Sequence, residues 1–260
     1  MRIRYIDPVS DSSQTEALAA HIKSCIAPGT SIEIVTLPEP GRPYDNLEYD
    51  AFGAFTAKDI VHLTHDAQQN GFDGVVIGCF YDPYLHEARE VSGSAIVTAP
   101  CLATTQLAVN VASEVGLVLG RRKHWGPVKR LLHEYSAFHA VSSVSYTDQS
   151  VTDIATNKET AFESLHGICS SAIEKDNAEA IILACTMYYG IASQLSGALG
   201  IPVIDPVAAS IKHAEWLCNA GGQGGIKPSR IGTHEPPPES ELDRLFDNQP
   251  VPIGQKTLVE

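Results

Sequence analysis

Two cysteines occupy corresponding places in two similar segments of the sequence. Residues 73–79 (DGVVIGC) resemble residues 179–185 (EAIILAC), so Cys79 and Cys185 stand 106 positions apart. The later segments 95–100 and 201–206 are similar at the same offset. Paired strand-and-turn segments at one offset predict two halves of the same fold. Buried Val/Ile-rich strands also resemble one another by chance, which is the competing interpretation.

These two thiols suit one type of reaction. Each cysteine is expected just beyond the carboxyl end of a parallel strand, where open α/β sheets bind ligands. A thiolate on one side of a cleft can take a proton from a carbon, while a thiol on the other side delivers one. A free thiol has a pKa of about 8.5, so a modest shift makes one sulfur a base. We therefore predict that Cys79 and Cys185 are catalytic, unless they are merely small buried hydrophobic residues.

The pattern of the chain predicts the elements that would position these cysteines. Val/Ile-rich runs alternate with segments of helical period, which is typical of an α/β protein. We expect two pseudo-symmetric, Rossmann-like halves with open parallel sheets and the active site in the cleft between them. The first domain would comprise residues 1–97 plus 207–260, including a C-terminal helix and tail, and the second domain residues 98–206.

Individual elements follow from the same periodicity and from Gly and Pro breaks. The predicted strands are residues 3–6, 31–37, 73–79, 115–119 and 138–146. The predicted helices are residues 57–70, a helix opening near Pro127, and residues 157–175 and 206–219, with helix caps at 10–13 and a Pro/Gly loop at 38–43. Residues 221–260 look like an irregular tail with a flexible Gly-rich start and one short helix near 239–246. Such a tail is mobile or wraps a neighbouring subunit.

Composition excludes several classes of function. The 18 basic and 31 acidic residues give a formal net charge of −13, which argues against binding nucleic acid or an anionic membrane. Charge near the start and no apolar stretch before Asp7 predict neither a signal peptide nor a membrane anchor, hence a cytoplasmic protein with six free thiols. No Gly-x-Gly-x-x-Gly opens a first βα turn, so no dinucleotide or other cofactor is expected. The expected partner is a small-molecule substrate.

A basic turn interrupts this acidic chain. Five of the basic residues fall within ten positions: Arg121, Arg122, Lys123, Lys129 and Arg130. The turn follows a predicted strand, where backbone N–H groups also favour an anion, and a guanidinium could hold a substrate carboxylate or carbonyl oxygen. The alternative is a solvated loop that pairs across an interface. A metal site is not predicted, because His62 and His65 share a helix face but lack a third ligand.

Several motifs of the sequence resemble those of a known family. Residues 79–85 (CFYDPYL) look like the first cysteine motif of the hydantoin racemases, in the aspartate/glutamate racemase superfamily, where Asp-Pro follows the cysteine. Residues 183–187 (LACTM) resemble the second motif, and residues 6–8 resemble the Asn-Pro start. The resemblance spans residues 1–217. It implies that Cys79 and Cys185 are the acid/base pair and that Asp7 contacts the substrate.

The chain departs from that family at several positions. Thr186 and Met187, followed by two tyrosines, stand where relatives carry a small residue and Gly-Met, and Gly120 opens a basic turn where relatives carry Thr-Thr. Asp7 replaces a neutral amide. The natural substrate therefore stays open. The substrate-binding residues predicted from motif and position are Asp7, Phe80, Tyr81, Gly120, Arg121, Thr186 and Met187.

The sequence thus predicts a cofactor-independent racemase of the hydantoin racemase type. It would act at a carbon next to a carbonyl, with backbone amides after each cysteine and near Gly120 holding the carbonyl oxygens. One alternative is a decarboxylase or cis–trans isomerase of a small dicarboxylate on the same scaffold. Another is a non-catalytic protein that binds a small ligand. The tail and the basic turn lead us to expect a homo-oligomer.

Overall fold

A computed structural model describes residues 1–9, 14–38, 46–156, 161–246 and 249–260. The chain divides into two compact units, formed by Met1–Gly78, Asp82–Ala99 and Ile211–Glu260, and by Cys79–Tyr81 and Pro100–Ser210. Three features predicted from the sequence lie outside the described residues: the helix caps at 10–13, most of the Pro/Gly loop, and the start of the helix predicted from residue 157.

The first unit is built on a five-stranded sheet in the order β4-β3-β1-β2-β9. Its elements in the first part of the chain are β1 (Arg2–Asp7), α1 (Thr15–Cys25), β2 (Ser31–Thr36), α2 (Asp50–Gly53), α3 (Ala57–Gln69), β3 (Gly74–Ile77), α4 (Leu85–Val91) and β4 (Ile96–Thr98). The pairs among β1 to β4 are all parallel. Strand β3 is buried along its whole length, as its unbroken apolar run predicts.

The second unit is built on a four-stranded parallel sheet in the order β6-β5-β7-β8. Its elements are α5 (Pro100–Val111), β5 (Val115–Leu119), α6 (Trp125–Glu134), β6 (Val141–Tyr146), α7 (Val151–Thr156), α8 (Ala161–Asp176), β7 (Ala180–Leu183), α9 (Ala192–Leu199) and β8 (Val203–Ile204). Within the described ranges, no helix of either unit has the length and apolar character needed to span a bilayer.

The two sheets repeat one strand order. Read from the edge, β4-β3-β1-β2 in the first unit matches β8-β7-β5-β6 in the second. The cysteine-bearing segments contain β3 and β7, which take the same second place in their sheets. The predicted α/β architecture with two related parallel sheets is therefore confirmed. The shared order also explains the common offset of the two cysteine motifs.

The prediction of an irregular tail was wrong. Helix α10 (Pro206–Gly224) runs through most of the Gly-rich stretch, and it is followed by α11 (Glu239–Phe246) and β9 (Lys256–Val259). Strand β9 pairs antiparallel with β2, so it covers a sheet edge that would otherwise expose unpaired backbone groups. This pairing depends on residues more than 200 positions apart, which local periodicity does not reveal. The helix predicted at 206–219 and the short helix at 239–246 are both present, whereas the extension of α10 to Gly224 and strand β9 were not predicted.

A buried group of charges ties this tail to the sheet. Arg4 is 2% exposed, and its guanidinium contacts a Glu33 carboxylate oxygen at 2.7 Å and an Asp66 oxygen at 2.6 Å. The Lys256 ammonium contacts the other oxygen of Glu33. Burial alone would raise the pKa of Glu33, but hydrogen bonds from Lys256 and Arg4 lower it overall. The carboxylate therefore stays ionised and links β1, β2 and β9.

The His62–His65 pair packs against the tail. Phe246 of α11 is 9% exposed and stacks on both imidazole rings, with centroid distances of 4.6 Å to His62 and 4.8 Å to His65. Burial lowers the pKa of both histidines, which favours the neutral rings that this stacking uses. The shared helix face predicted for the two histidines is thus an aromatic contact surface.

Replacing Phe246 with alanine should therefore destabilise the protein. Loss of this buried ring is expected to lower the free energy of unfolding by about 3 kcal/mol, measured by urea denaturation. Leu245→Ala is the matched control, because Leu245 is its neighbour on the same helix and is 52% exposed. Equal effects of the two substitutions would contradict the docking of α11 through Phe246.

His213 should make stability depend on pH. Its Nδ1 atom lies 2.7 Å from the Thr98 hydroxyl, and burial, aided by the charge of Arg89, lowers its pKa from 6.5 to about 4. The unfolded chain binds the proton more readily, so this stability is complete above about pH 6.5 and is lost as pH falls toward 4. We expect the free energy of unfolding to drop by about 2 kcal/mol between pH 7 and pH 5.

Two variants show whether His213 causes this loss of stability between pH 7 and pH 5. His213→Gln should reduce this pH dependence by about 2 kcal/mol and leave the part that His62 and His65 contribute, whereas His139→Gln, at an exposed position, should retain it in full. Denaturation curves at both pH values measure the difference. If the free energy of unfolding of His213→Gln depends on pH as strongly as that of the wild type, other groups cause the loss of stability.

Candidate active site

Each candidate cysteine lies two residues beyond a matched strand. Gly78 follows β3, and its N–H donates to the Ile6 carbonyl of β1 at 2.7 Å. Ala184 follows β7, and its N–H donates to the Val118 carbonyl of β5 at 2.8 Å. In both sheets the residue before the cysteine is thus bonded to the central strand. The backbone carries each cysteine past the sheet edge in the same way.

Small residues at these two positions are required by packing. A Cβ atom on Gly78 would lie 2.6 Å from the Tyr5 hydroxyl oxygen, inside van der Waals contact. Ala184 is 4% exposed within the core of the second unit. A larger side chain at either position would push the following cysteine out of place.

The loop after Cys79 is anchored by its aromatic residues. Cys79 is half-buried, and Phe80 is 3% exposed in the hydrophobic core of the second unit. Tyr81 packs against the same core, and its ring meets the His124 ring edge-on at a centroid distance of 6.0 Å. The next loop residues include Tyr84, which has a left-handed backbone with φ of 58°, costly for a bulky side chain.

The turn at Gly120 lies beside Cys185. Val118 of β5 pairs with Leu183 of β7, so two residues further on Gly120 is level with Cys185 on the neighbouring strand. Adjacent strands are about 5 Å apart. The Gly120 carbonyl accepts the Gln149 N–H at 3.2 Å, and a Cβ atom on Gly120 would lie 2.7 Å from the Gln149 carbonyl oxygen. Only glycine fits this turn.

The amide that follows Gly120 is already used within the protein. The Arg121 N–H donates to Nδ1 of His124 at 3.2 Å, and His124 is 4% exposed. Nδ1 must then lack a hydrogen, so a neutral ring carries its proton on Nε2. The expectation that amides near Gly120 hold a substrate carbonyl therefore does not apply to this N–H. The Arg121 N–H instead orients the His124 ring, which meets the Tyr81 ring edge-on.

The charges of the basic turn are spread over different partners. Hydrogen bonds from Ser150 lower the pKa of Asp153, and the charge of Arg121 lowers it further, which places the two charges near one another. The Arg122 guanidinium lies 5.7 Å from the Tyr146 ring centroid, and the Lys129 ammonium lies near two other aromatic rings. The positive charges of Arg122 and Lys129 thus lie close to aromatic rings.

The loop after Cys185 forms one wall of a pocket. Cys185 is 8% exposed and begins a short 3-10 turn, in which Thr186 and Met187 are half-buried and Tyr188 is 2% exposed. A cavity of about 320 Å³ is lined by Ala161, Phe162, Met187, Tyr188, Tyr189, Gly190, Ile191 and Gln194. None of these side chains is charged. The pocket can therefore hold an uncharged, largely apolar group.

The far end of that loop is fixed by Asp205. The Gly190 N–H donates to one Asp205 carboxylate oxygen at 2.6 Å, while the other oxygen accepts the N–H groups of Val207 and Ala208 at 2.9 and 3.0 Å. Asp205 thus caps α10 and tethers the loop at once. Its counterpart in the repeat is Ala99, which lacks such a side chain.

The other cysteines have structural surroundings. All six cysteines are free thiols, and Cys101 and Cys169 are fully buried. Burial raises the pKa of Cys169 to about 11 and that of Cys218 to about 11. The Cys218 thiol donates to the Asp73 carbonyl at 3.3 Å. Protonated, packed thiols of this kind do not act as bases near neutral pH.

Asp7 belongs to the first unit and ends β1. Because Ile6 pairs with Ile77, Asp7 lies level with Gly78, one residue before Cys79. It is half-buried, and one of its carboxylate oxygens accepts the Val9 N–H at 3.4 Å. The sequence prediction put Asp7 at the end of this strand but gave no positioning role to His124, Thr147, Tyr188 or Asp205. Their sequence signals were a place shortly after a strand and, for Tyr188, the nearness of the second cysteine.

Two related α/β units, with a cysteine beyond the same strand of each sheet, define an enzyme of the racemase and isomerase class. Residues 3–214 match the Asp/Glu/Hydantoin racemase family, so the chain belongs to that family and is a racemase. The hydantoin racemase of Paenarthrobacter aurescens is 30% identical over 245 residues, which cover 93% of this chain and 99% of the relative.

Solved structures agree with this assignment. An allantoin racemase from Klebsiella pneumoniae superposes with a TM-score of 0.83 and 28% identity, covering 92% of this chain and 94% of the other. The maleate isomerase Iso of Pseudomonas putida S16 superposes with a TM-score of 0.59 over 88% of this chain and 95% of the other. At 16% identity the second likeness shows a common fold alone.

Gly120→Ala should disturb the turn beside Cys185. The added Cβ would collide with the Gln149 carbonyl, so we expect the free energy of unfolding to fall by about 1 to 3 kcal/mol. Gly126→Ala is the matched control: its Cβ would meet no atom closer than 4.0 Å within α6, and alanine should favour the helix. A Gly120→Ala protein as stable as the Gly126→Ala protein would contradict the described turn.

Proposed function

We propose that this racemase inverts a carbon next to a carbonyl group in a hydantoin-like ring, with Cys79 and Cys185 as the acid/base pair. The observation that carries the proposal is the matched position of the two cysteines, each bonded through its preceding residue to the central strand of a sheet. Repeats drift unless a function holds both copies, and packing alone does not require a thiol twice at this edge.

Such a reaction removes one proton from the substrate carbon and returns another to its opposite face. One cysteine, as thiolate, removes the hydrogen of the substrate carbon, and the electron pair passes into the adjacent carbonyl. The other cysteine, as thiol, then delivers its proton to the opposite face. The pair ends with its protonation reversed, which prepares it for the mirror-image substrate. No redox step is involved.

The substrate class rests on two supports. Two of the similar proteins described above are a hydantoin racemase and an allantoin racemase. The cavity lined by residues 187–191, shortly after Cys185, has no charged side chain among its described lining residues, which suits a neutral substituent on the substrate. Asp7 and Arg121 remain candidates for contacts to the ring, together with Tyr81, Thr186 and Met187.

Serine substitutions test the cysteine pair. Cys79→Ser and Cys185→Ser should each lower the racemisation rate by about 10² to 10⁴, since each removes one acid/base group. Each variant should still exchange the hydrogen of only one enantiomer with deuterated solvent, and the two variants should differ in which one. Circular dichroism and mass spectrometry follow the two processes.

Cys25→Ser is the control, because Cys25 is a half-buried thiol on α1 outside the candidate site. It should keep full activity. Racemisation and exchange that survive in both site variants would refute the cysteine pair. A substrate panel of substituted hydantoins, allantoin, amino acids and dicarboxylates identifies the ring, and release of carbon dioxide or loss of a double-bond geometry would instead indicate decarboxylation or cis–trans isomerisation.

A further inference from the structure

Tyr188 is a buried tyrosine in the turn that begins at Cys185. Its N–H donates to the Cys185 carbonyl at 3.1 Å, and its side chain is 2% exposed within the core that also contains Cys185. At the other end of the ring, the hydroxyl oxygen lies 2.9 Å from the Thr147 hydroxyl. The side chain thus spans from the cysteine turn to the end of another strand.

Thr147 connects this contact to the turn at Gly120. It follows β6, its N–H donates to the Leu119 carbonyl at 2.9 Å, and its hydroxyl lies 3.4 Å from the Gly120 carbonyl oxygen. A threonine hydroxyl has one hydrogen. Both of its contacts are hydrogen bonds only if Thr147 donates to Gly120 and Tyr188 donates to Thr147. The chain of donors therefore has one direction, away from Cys185.

The ionisation state of the tyrosine agrees with that direction. Burial raises the pKa of Tyr188 above its ordinary value, and the charges of Cys185 and Cys169 raise it further, while the Thr147 hydrogen bond acts in the opposite sense. Tyr188 therefore keeps its proton and remains a donor throughout the working range of a thiol.

We propose that Tyr188 is a positioning residue, which sets the Cys185 thiol by holding its turn to Gly120 through Thr147. Gly120 is level with Cys185, so this link fixes the cysteine turn against the adjacent strand. Asp205 holds the far end of the loop, at Gly190. Without the Tyr188 link, the half of the loop nearest the thiol loses this side-chain restraint.

This proposal rests on the proposed function for its catalytic effect, but not for its structural effect. Tyr188→Phe retains the ring and removes only the hydroxyl. Thr147→Val retains the shape of threonine and removes the acceptor.

The first test is thiol reactivity. The wild type and both variants are treated with iodoacetamide, and alkylation of each cysteine is followed by peptide mass spectrometry. Cys185 should be alkylated severalfold faster in Tyr188→Phe and in Thr147→Val, with Cys79 unchanged. Thr147→Ser should restore the wild-type rate, and Thr156→Val, at an exposed helical site, should not alter it. An unchanged Cys185 rate in both variants would overturn the proposal.

The second test is kinetic. On a substituted hydantoin, both variants should lower kcat about tenfold with a much smaller change in KM, because the thiol is misplaced rather than the substrate released. The double variant should lose no more than either single one, since both remove the same link. Additive losses would overturn the proposal. Altered thiol reactivity in a protein with no racemase activity would refute the proposed function but support the link from Tyr188 through Thr147 to Gly120.

Discussion

The bond from each cysteine-bearing loop to the central strand of its sheet is the constraint on which the site depends. Gly78 is bonded to β1 and Ala184 to β5, so the chain leaves each sheet at a fixed height. Parallel sheets supply this geometry because all their strands end at the same edge. A thiol that follows such a bond by one residue has little backbone freedom. The two cysteines owe their matched places to this backbone pairing.

Beyond this shared frame, the two loops are stabilised differently. The loop after Cys79 relies on aromatic packing, with Phe80 in the core and Tyr81 against His124. The turn after Cys185 relies on polar links through Tyr188 and Asp205. The turn that begins at Gly120 neighbours both loops: Tyr81 packs against His124, and Thr147 links Tyr188 to the Gly120 carbonyl.

Sequence patterns predicted the parts of the fold that depend on local order. Buried strands such as β3 and β7 have unbroken apolar runs, and the short helix at 239–246 has a clear amphipathic period, so each could be recognised in isolation. Strand β9 could not, because its pairing with β2 joins distant parts of the chain. The Gly-rich stretch at 221–225 looked like a linker because glycine disfavours a helix, yet α10 continues to Gly224.

In the candidate site, too, the residues marked by sequence patterns were predicted, and those that depend on contacts between distant segments were not. Cys79 and Cys185 were predicted because the repeat marks them, and Asp7 because it stands where the resembling family carries its Asn-Pro start. His124, Thr147 and Tyr188 were not assigned, since their roles come from contacts between loops that follow different strands. The basic turn was recognised by charge alone, yet its structure uses the Arg121 backbone to orient His124 and stacks Arg122 on an aromatic ring. Charge density indicated where to look but not which atoms matter.

The most direct test of the two-thiol account is the place where deuterium first appears. A single enantiomer of the substrate is incubated with the enzyme in deuterated water, and each enantiomer is isolated at low conversion and analysed by mass spectrometry. Each thiol holds one exchangeable hydrogen and serves one face, so the account predicts deuterium in the product enantiomer and almost none in the recovered substrate. Equal early labelling of both enantiomers would mean that one base serves both faces, and it would contradict the account.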